Sequence, residues 1–217
     1  QTRTAAVEYE AAPNPGIGSW SINAHHVYNL AEKTIYFGDG IRRSTEMVNN
    51  LFSSVAGIYL KRGNSGEGGP AGQAKLYCPS GIAVAPDGGV YISDTGNNRI
   101  CRIGIDGIIT VIAGTGGEGY SGDGGLATAA QLAYPKGIHV SMDGSLYIAD
   151  HGNNRIRKVD ETGIITTVAG TDGFMCNGDE QLAVTAKLFS PVDVTMDAGG
   201  NLYIAEIGLE SNRIRRV

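Results

Sequence analysis

Pro135-Lys136-Gly137-Ile138-His139-Val140-Ser141-Met142-Asp143-Gly144-Ser145-Leu146-Tyr147-Ile148-Ala149-Asp150-His151-Gly152-Asn153-Asn154-Arg155-Ile156 decides the reading of this chain, because it is written three times. The stretch from Pro79 carries the same Gly-Ile-x-Val, Asp-Gly, Tyr-Ile-x-Asp and Gly-Asn-Asn-Arg-Ile at an interval of 56 residues. A further 56 residues on, Pro191 opens Pro-Val-Asp-Val-Thr-Met, followed by Leu202-Tyr203-Ile204-Ala205-Glu206 and Ser211-Asn212-Arg213-Ile214. A period of this size marks a repeat architecture. The repeat says how the core is built; function has to be sought where units differ.

Each unit holds four short apolar runs. From Pro79 they are Gly81 to Ala85, Val90 to Asp94, Arg99 to Gly104 and Ile108 to Ala113. Their Val, Ile, Tyr and Thr content suits half-buried strands. Asp87-Gly88-Gly89, Thr95-Gly96-Asn97-Asn98 and Asp106-Gly107 separate them, and Gly and Asn accept the positive φ of tight turns. Four strands joined in this way form an antiparallel meander. A Gly-rich crossover then ends in Ala-x-x-Ala-x-Leu: Ala71 to Leu76, Ala127 to Leu132 and Ala183 to Leu188. That spacing predicts a single helical turn that drops a Leu between neighbouring sheets.

An earlier, degenerate unit aligns Thr34 to Asp39 with Gly89 to Asp94, and Leu51 to Gly57 with Ile108 to Gly114. Its innermost strand falls near His25 to Asn29, with a turn at Ala31-Glu32-Lys33. The expectation is an all-β single domain over residues 1–217: a β-propeller of four four-stranded antiparallel blades, roughly 24–57, 79–114, 135–170 and 191–217. The last unit stops after its third run, and Thr4-Ala5-Ala6-Val7-Glu8-Tyr9 is a β-forming run ahead of the first. Residues 4–9 are therefore expected to close the last blade, within the chain or in a neighbouring copy as a head-to-tail filament. The alternative is a piece of a longer propeller.

The bulk composition narrows the function classes. Gly is high at 33 residues, yet 41% hydrophobic content supports a packed, turn-rich fold. A formal net charge of -5 argues against a general nucleic-acid binder. No apolar run is long enough for a spanning helix. Cys78, Cys101 and Cys176 lack metal-ligand spacing and stand where other units carry other residues, so the repeat needs no sulfur. Small buried or surface thiols are the preferred reading, ahead of a disulfide between any two.

The string Gly-Ile-x-Val-x-x-Asp-Gly-x-Leu-Tyr-Ile-Ala-Asp-x-Gly-Asn-Asn-Arg-Ile-Arg-Lys-Val, nearly complete over 135–159, resembles the NHL repeat. Gly163-Ile164-Ile165-Thr166-Thr167-Val168-Ala169-Gly170-Thr171 and the Gly-Asp-Gly-Gly crossover are similar to the subclass found in extracellular and bacterial NHL proteins and in the teneurin propeller. The resemblance covers about residues 25–217. It implies a propeller used as a binding platform, although related six-bladed folds include hydrolases and lyases. A four-blade count departs from the common six.

Several residues invite a chemical reading. Asp39, Asp94, Asp150 and Glu206 recur at the end of the second strand. They read as turn carboxylates accepting nearby backbone N–H groups rather than as metal ligands. Arg99, Arg155 and Arg213, followed by Arg102, Arg157, Lys158, Arg215 and Arg216, recur on the third strand. They could form a basic track for RNA, but pairing with the recurrent acids is the preferred reading; basic-aromatic interleaving is absent from the linear sequence. The innermost strands should place His26, Gly81, Gly137 and Asp193 near the axis, with Tyr28, Ala83, His139 and Thr195 two residues further on. His26, Tyr28, His139 and Asp193 are thus the candidate axial ligand site, too incomplete for a metal assignment. His25 and His151 read as solvated. The Gly-rich crossovers lack the Lys-Ser/Thr of a phosphate loop, and no Gly-x-Ser-x-Gly elbow or Cys/His nucleophile pair appears. No cofactor is expected. The reading is a non-catalytic module, extracellular or at the cell surface, that binds a protein partner or itself, with nucleic acid and a membrane span disfavoured. The alternatives are a channel-site hydrolase or lyase using His26, His139 and Asp193, or an RNA platform.

Overall fold

The computed structural model describes residues 27–29, 34–36 and 54–217, apart from 172, 174–178 and 209–211. Two units are distinguished, Gln1–Ser53 and Ser54–Val217. In the first, β1 (Val27–Asn29) pairs antiparallel with β2 (Thr34–Tyr36), Asn29 opposite Thr34; the expected turn at Ala31-Glu32-Lys33 lies outside the described residues. Residues 4–9, His25, His26, Asp39 and Cys176 lie outside the described residues.

The second unit contains three antiparallel sheets in chain order. Sheet I comprises β3 (Gly81–Val84), β4 (Val90–Asp94), β5 (Arg99–Ile103) and β6 (Ile109–Ala113). Sheet II comprises β7 (Pro135–Val140), β8 (Leu146–Asp150), β9 (Arg155–Val159) and β10 (Ile165–Ala169). Sheet III comprises β11 (Pro191–Met196), β12 (Leu202–Glu206) and β13 (Arg213–Arg216), three strands among the described residues. All three are meanders, as the spacing of turn residues predicts, and the strand bounds agree with the apolar runs to within a residue. Gly88 and Gly107 turn with φ +85 and +77, and Asn98 and Asn154 occupy the left-handed region at φ 50 and 55.

The core lies between the sheets. Ile100 and Ala113 of sheet I meet Ile138, Leu146, Ile148 and Ile165 of sheet II, with Leu132 of the intervening crossover wholly buried among them. Leu188 takes the same place between Ala149 and Ile156 of sheet II and Val194 and Ile204 of sheet III. The Ala-x-x-Ala-x-Leu signature is a short helical turn at Ala71–Gln73 and Ala127–Ala129; Leu132 and Leu188 are delivered between sheets as expected, and Leu76 packs half-buried against sheet I. Gly57, Gly114 and Gly170 share one left-handed geometry, φ +86, +91 and +94. Each donates its amide to the crossover that follows: Gly57 to Ala71 O, Gly114 to Ala127 O and Gly170 to Ala183 O. Gly57 thus holds the position that the alignment of 51–57 assigned to it, while Leu51 lies outside the described residues.

Candidate functional site

The innermost strands β3, β7 and β11 run side by side, with β7 in the middle. Gly137 lacks a side chain at the point where Asp193 approaches: a Cβ there would overlap the Asp193 carboxylate. Asp193 Oδ1 accepts the amide of Val194 at 2.9 Å, and His139 Nδ1 stands 3.5 Å from Thr195 Oγ1. Burial lowers the His139 pKa, and the Asp193 charge partly opposes this. The structure thus brings His139, Asp193 and Thr195 into one polar spot. His26 and the side chain of Tyr28 lie outside the described residues. Among the described residues no group of three or more His, Cys, Asp or Glu could hold a metal ion. An imidazole beside one carboxylate can hydrogen-bond a polar ligand; by itself it provides no activated nucleophile.

The recurrent carboxylates do something that their position in the sequence did not reveal. Asp94 Oδ1 accepts the Tyr77 amide at 2.7 Å, Asp150 Oδ1 the Ala133 amide at 2.8 Å, and Glu206 Oε1 the Phe189 amide at 2.6 Å. Each donor lies 17 residues earlier, so the expected local turn bond is replaced by a clamp on the incoming crossover. The second oxygen of Asp94 and Asp150 accepts the amide of Asn97 and Asn153 at 2.8 Å. Arginine completes the set: Arg99 Nε reaches Asp94 at 2.9 Å, Arg157 Nη1 reaches Asp150 at 3.3 Å and Arg213 Nε reaches Glu206 at 3.0 Å. Burial drives the Asp150 pKa upward, against the lowering by its hydrogen bonds and by Arg157.

The rest of the Asp-x-Gly-Asn-Asn string forms latches between units. Asn98 Oδ1 accepts the Tyr134 amide at 2.8 Å and Asn154 Oδ1 the Ser190 amide at 2.7 Å, each 36 residues onward. Tyr134 and Ser190 have φ 47 and 43, a conformation unfavourable for a residue with a Cβ, and the latch holds it. Thr95 Oγ1 donates to Pro135 O at 2.6 Å, and His151 Nδ1 takes the equivalent place on Pro191 O at 3.2 Å. His151 is therefore an inter-unit donor, half-buried, and its pKa is lowered by burial and by Lys136. This corrects the expectation of a solvated side chain. The central Gly is there for space: a Cβ on Gly96 would lie 2.5 Å from the Tyr77 ring, and one on Gly152 2.8 Å from Ala133 Cβ.

The arginines of the third strand follow the preferred reading. Arg99, Arg155 and Arg157 are buried at 8%, 6% and 0% exposure, which removes them from any exposed basic track. Arg157 also reaches Asp123 at 2.7 Å, and Arg215 makes the equivalent bridge to Asp179 at 2.8 Å. Aromatic rings do interleave with these cations, contrary to the linear sequence. Arg155 stacks 3.8 Å and Arg157 4.9 Å from the Tyr120 ring centre, and Arg102 and Lys158 lie over Tyr91 and Tyr147. The rings come from adjacent strands and crossovers, so spacing along one strand could not show them.

Residues 76–103 match the model of the NHL repeat, and residues 111–178 that of the teneurin NHL domain. Both matched stretches are similar to NHL repeats. The chain is 26% identical to human Teneurin-1 over an alignment covering all of this chain and 10% of that protein. It is 28% identical to Teneurin-m of Drosophila melanogaster over 71% of this chain and 8% of that protein. The chain therefore spans about a tenth of the length of the teneurins it matches. Among solved structures, a protein of unknown function from Bacteroides thetaiotaomicron superposes with a TM-score of 0.59 at 22% identity, covering 89% of this chain and 41% of that one. An auxiliary nutrient binding protein from Bacteroides ovatus gives 0.52 at 17% identity, covering 89% and 42%. At these identities the superpositions speak for the fold.

Proposed function

We propose that this chain is a non-catalytic NHL-repeat propeller module of four blades over residues 1–217 that binds a protein partner or a further copy of itself outside the cell. The supporting observation is the destination of the repeat's polar groups. The recurrent Asp, Asn and Arg side chains bind crossovers and neighbouring sheets, so the repeated chemistry builds a scaffold and leaves its surface free to vary. The teneurin-type sequence across the chain supports the extracellular placement. Bead-displayed protein should capture a protein partner or a second copy at physiological salt, and His139→Ala with Asp193→Asn should leave capture unchanged.

A second reading uses the His139–Asp193 spot as the centre of a channel-site hydrolase or lyase. Turnover of a lactone, ester or cyclic depsipeptide that His139→Ala abolishes would favour it over the binding module. Burial of Arg99, Arg155 and Arg157 counts against an RNA platform, and a salt-dependent RNA titration would test the basic residues that remain accessible.

A further inference from the structure

The crossovers into sheets I and II begin at equivalent glycines, Gly57 and Gly114, and reach the same parallel bridge, Arg62 with Leu76 and Glu118 with Leu132. Between these points the second crossover has Thr115-Gly116-Gly117, whereas the first has Ile58-Tyr59-Leu60-Lys61, one residue more. The longer form makes a tight turn in which Lys61 donates its amide to Ile58 O at 3.0 Å. Leu60 takes the third place of that turn at φ 60, a conformation that suits Gly or Asn and that Gly116 adopts in the sister crossover at φ +88. Tyr59 and Leu60 are both 87% exposed, so burial does not offset the strain. A strained backbone that presents two large apolar side chains to solvent points to a use beyond the fold.

Cations surround this tip. Lys61 and Arg62 follow it directly and are exposed, and Lys75 packs its stem against Gly63. Arg62 also stacks 5.4 Å from the ring centre of Tyr77, itself exposed. Lys61, Arg62 and Lys75 form no ion pair among the described residues, whereas Arg99, Arg102, Arg157, Arg213 and Arg215 all do. The turn is thus a local positive cluster on a chain of net charge -5. Its base is fixed, because Gly63 donates to Leu76 O at 3.3 Å and Lys75 to Ser65 O at 2.8 Å.

The chemistry of the tip selects its occupant. Two side chains that project so far form no groove for a peptide to lie in. An aliphatic group beside a Tyr, with unpaired cations around them, has the layering of a bilayer interface: Leu suits the acyl boundary, Tyr the headgroup level, and Lys and Arg the lipid phosphates. We propose that the Ile58–Lys61 turn is a docking point for an anionic lipid surface, entered by Tyr59 and Leu60 and held by Lys61, Arg62 and Lys75. The contact is peripheral and reversible, since one Leu and one Tyr bury little apolar area. It goes beyond the binding-module reading and does not rest on it.

The test mixes the full chain with vesicles of phosphatidylcholine alone or of phosphatidylcholine with phosphatidylserine, and reads the bound fraction by co-sedimentation. Polyglutamate, titrated in parallel by calorimetry, stands for an acidic protein partner. Binding to the phosphatidylserine vesicles should be at least about tenfold stronger than to phosphatidylcholine alone and should fall as salt rises. Leu60→Gly removes the strain at φ 60, so it should not lower the melting temperature, yet it should weaken vesicle binding at least about tenfold. Lys61→Glu should weaken vesicle binding with the melting temperature unchanged. No co-sedimentation with phosphatidylserine vesicles, equal binding to both vesicle types, or undiminished binding by Leu60→Gly would overturn the proposal. So would polyglutamate binding that Lys61→Glu abolishes in a chain that ignores the vesicles, which would assign the turn to an acidic protein instead.

Discussion

Asp150 shows how much can depend on one side chain in this fold. It is fully buried and accepts from the Ala133 amide, Asn153 and Arg157, itself fully buried. Removing the carboxylate leaves a buried guanidinium short of its counter-charge and an amide without its acceptor. Asp150→Ala is therefore expected to cost roughly 3–5 kcal/mol in denaturant unfolding. Glu206→Ala should cost less, because its partner Arg213 is 31% exposed. Equal losses at the two sites would contradict this account. Cys101 stands where the sister strands carry Arg157 and Arg215, opposite Glu67 instead of Asp123 and Asp179. Without the guanidinium the site is apolar, and burial pushes the Cys101 thiol up to about 11. Cys78 is exposed. At pH 8 iodoacetamide should alkylate Cys78 at least about a hundredfold faster than Cys101, since the thiolate is the nucleophile. Comparable labelling in peptide mass spectrometry would show that the Cys101 pocket opens.

At the scale of the elements, the turn after each second strand holds the repeat together. Its Gly is tested by Gly152→Ala, whose new methyl would sit 2.8 Å from Ala133 Cβ and 3.0 Å from Ala133 O. That crowding should cost about 1–3 kcal/mol in unfolding free energy. Gly72→Ala, with open space around it and an ordinary φ, is the control and should be neutral. A neutral Gly152→Ala would mean that the crossover yields easily. The strands themselves were legible in the sequence because their pattern is local: alternating apolar residues, then Asn and Gly at turns. The crossover Leu was legible for the same reason. The work of Asp150, Gly152 and Asn154 was not, because their partners lie 17 to 36 residues away and only the stacking of sheets brings them together. The axial prediction sits between these cases. Alignment of the innermost strands set His139 and Asp193 at neighbouring axial positions, and the structure brings these two together, while His26 and the side chain of Tyr28 lie outside the described residues.

For the molecule as a whole, the two described histidines lie at the same junction, between sheets II and III. His151 donates to Pro191 O, and His139 stands beside Thr195 and the Asp193 charge. Burial lowers both pKa values in the folded state, with Lys136 adding to the effect at His151. Protons therefore bind the unfolded chain more readily than the folded one, near the ordinary histidine pKa of about 6.5. The linked stability is fully present above that value and is lost as pH falls through the depressed folded values. Unfolding free energy should therefore decline between pH 7 and 5, a window above the usual carboxylate range. Asp150 has the opposite sign, because its raised folded pKa favours proton uptake by the native state. The double variant His139→Gln, His151→Gln separates the two contributions by removing the decline and leaving the carboxylate term. Loosening should also be local, so hydrogen exchange at pH 5 should quicken in β11 before it quickens in β3. If stability stays flat from pH 7 to 5, or β3 loosens first, the histidines do not govern this junction.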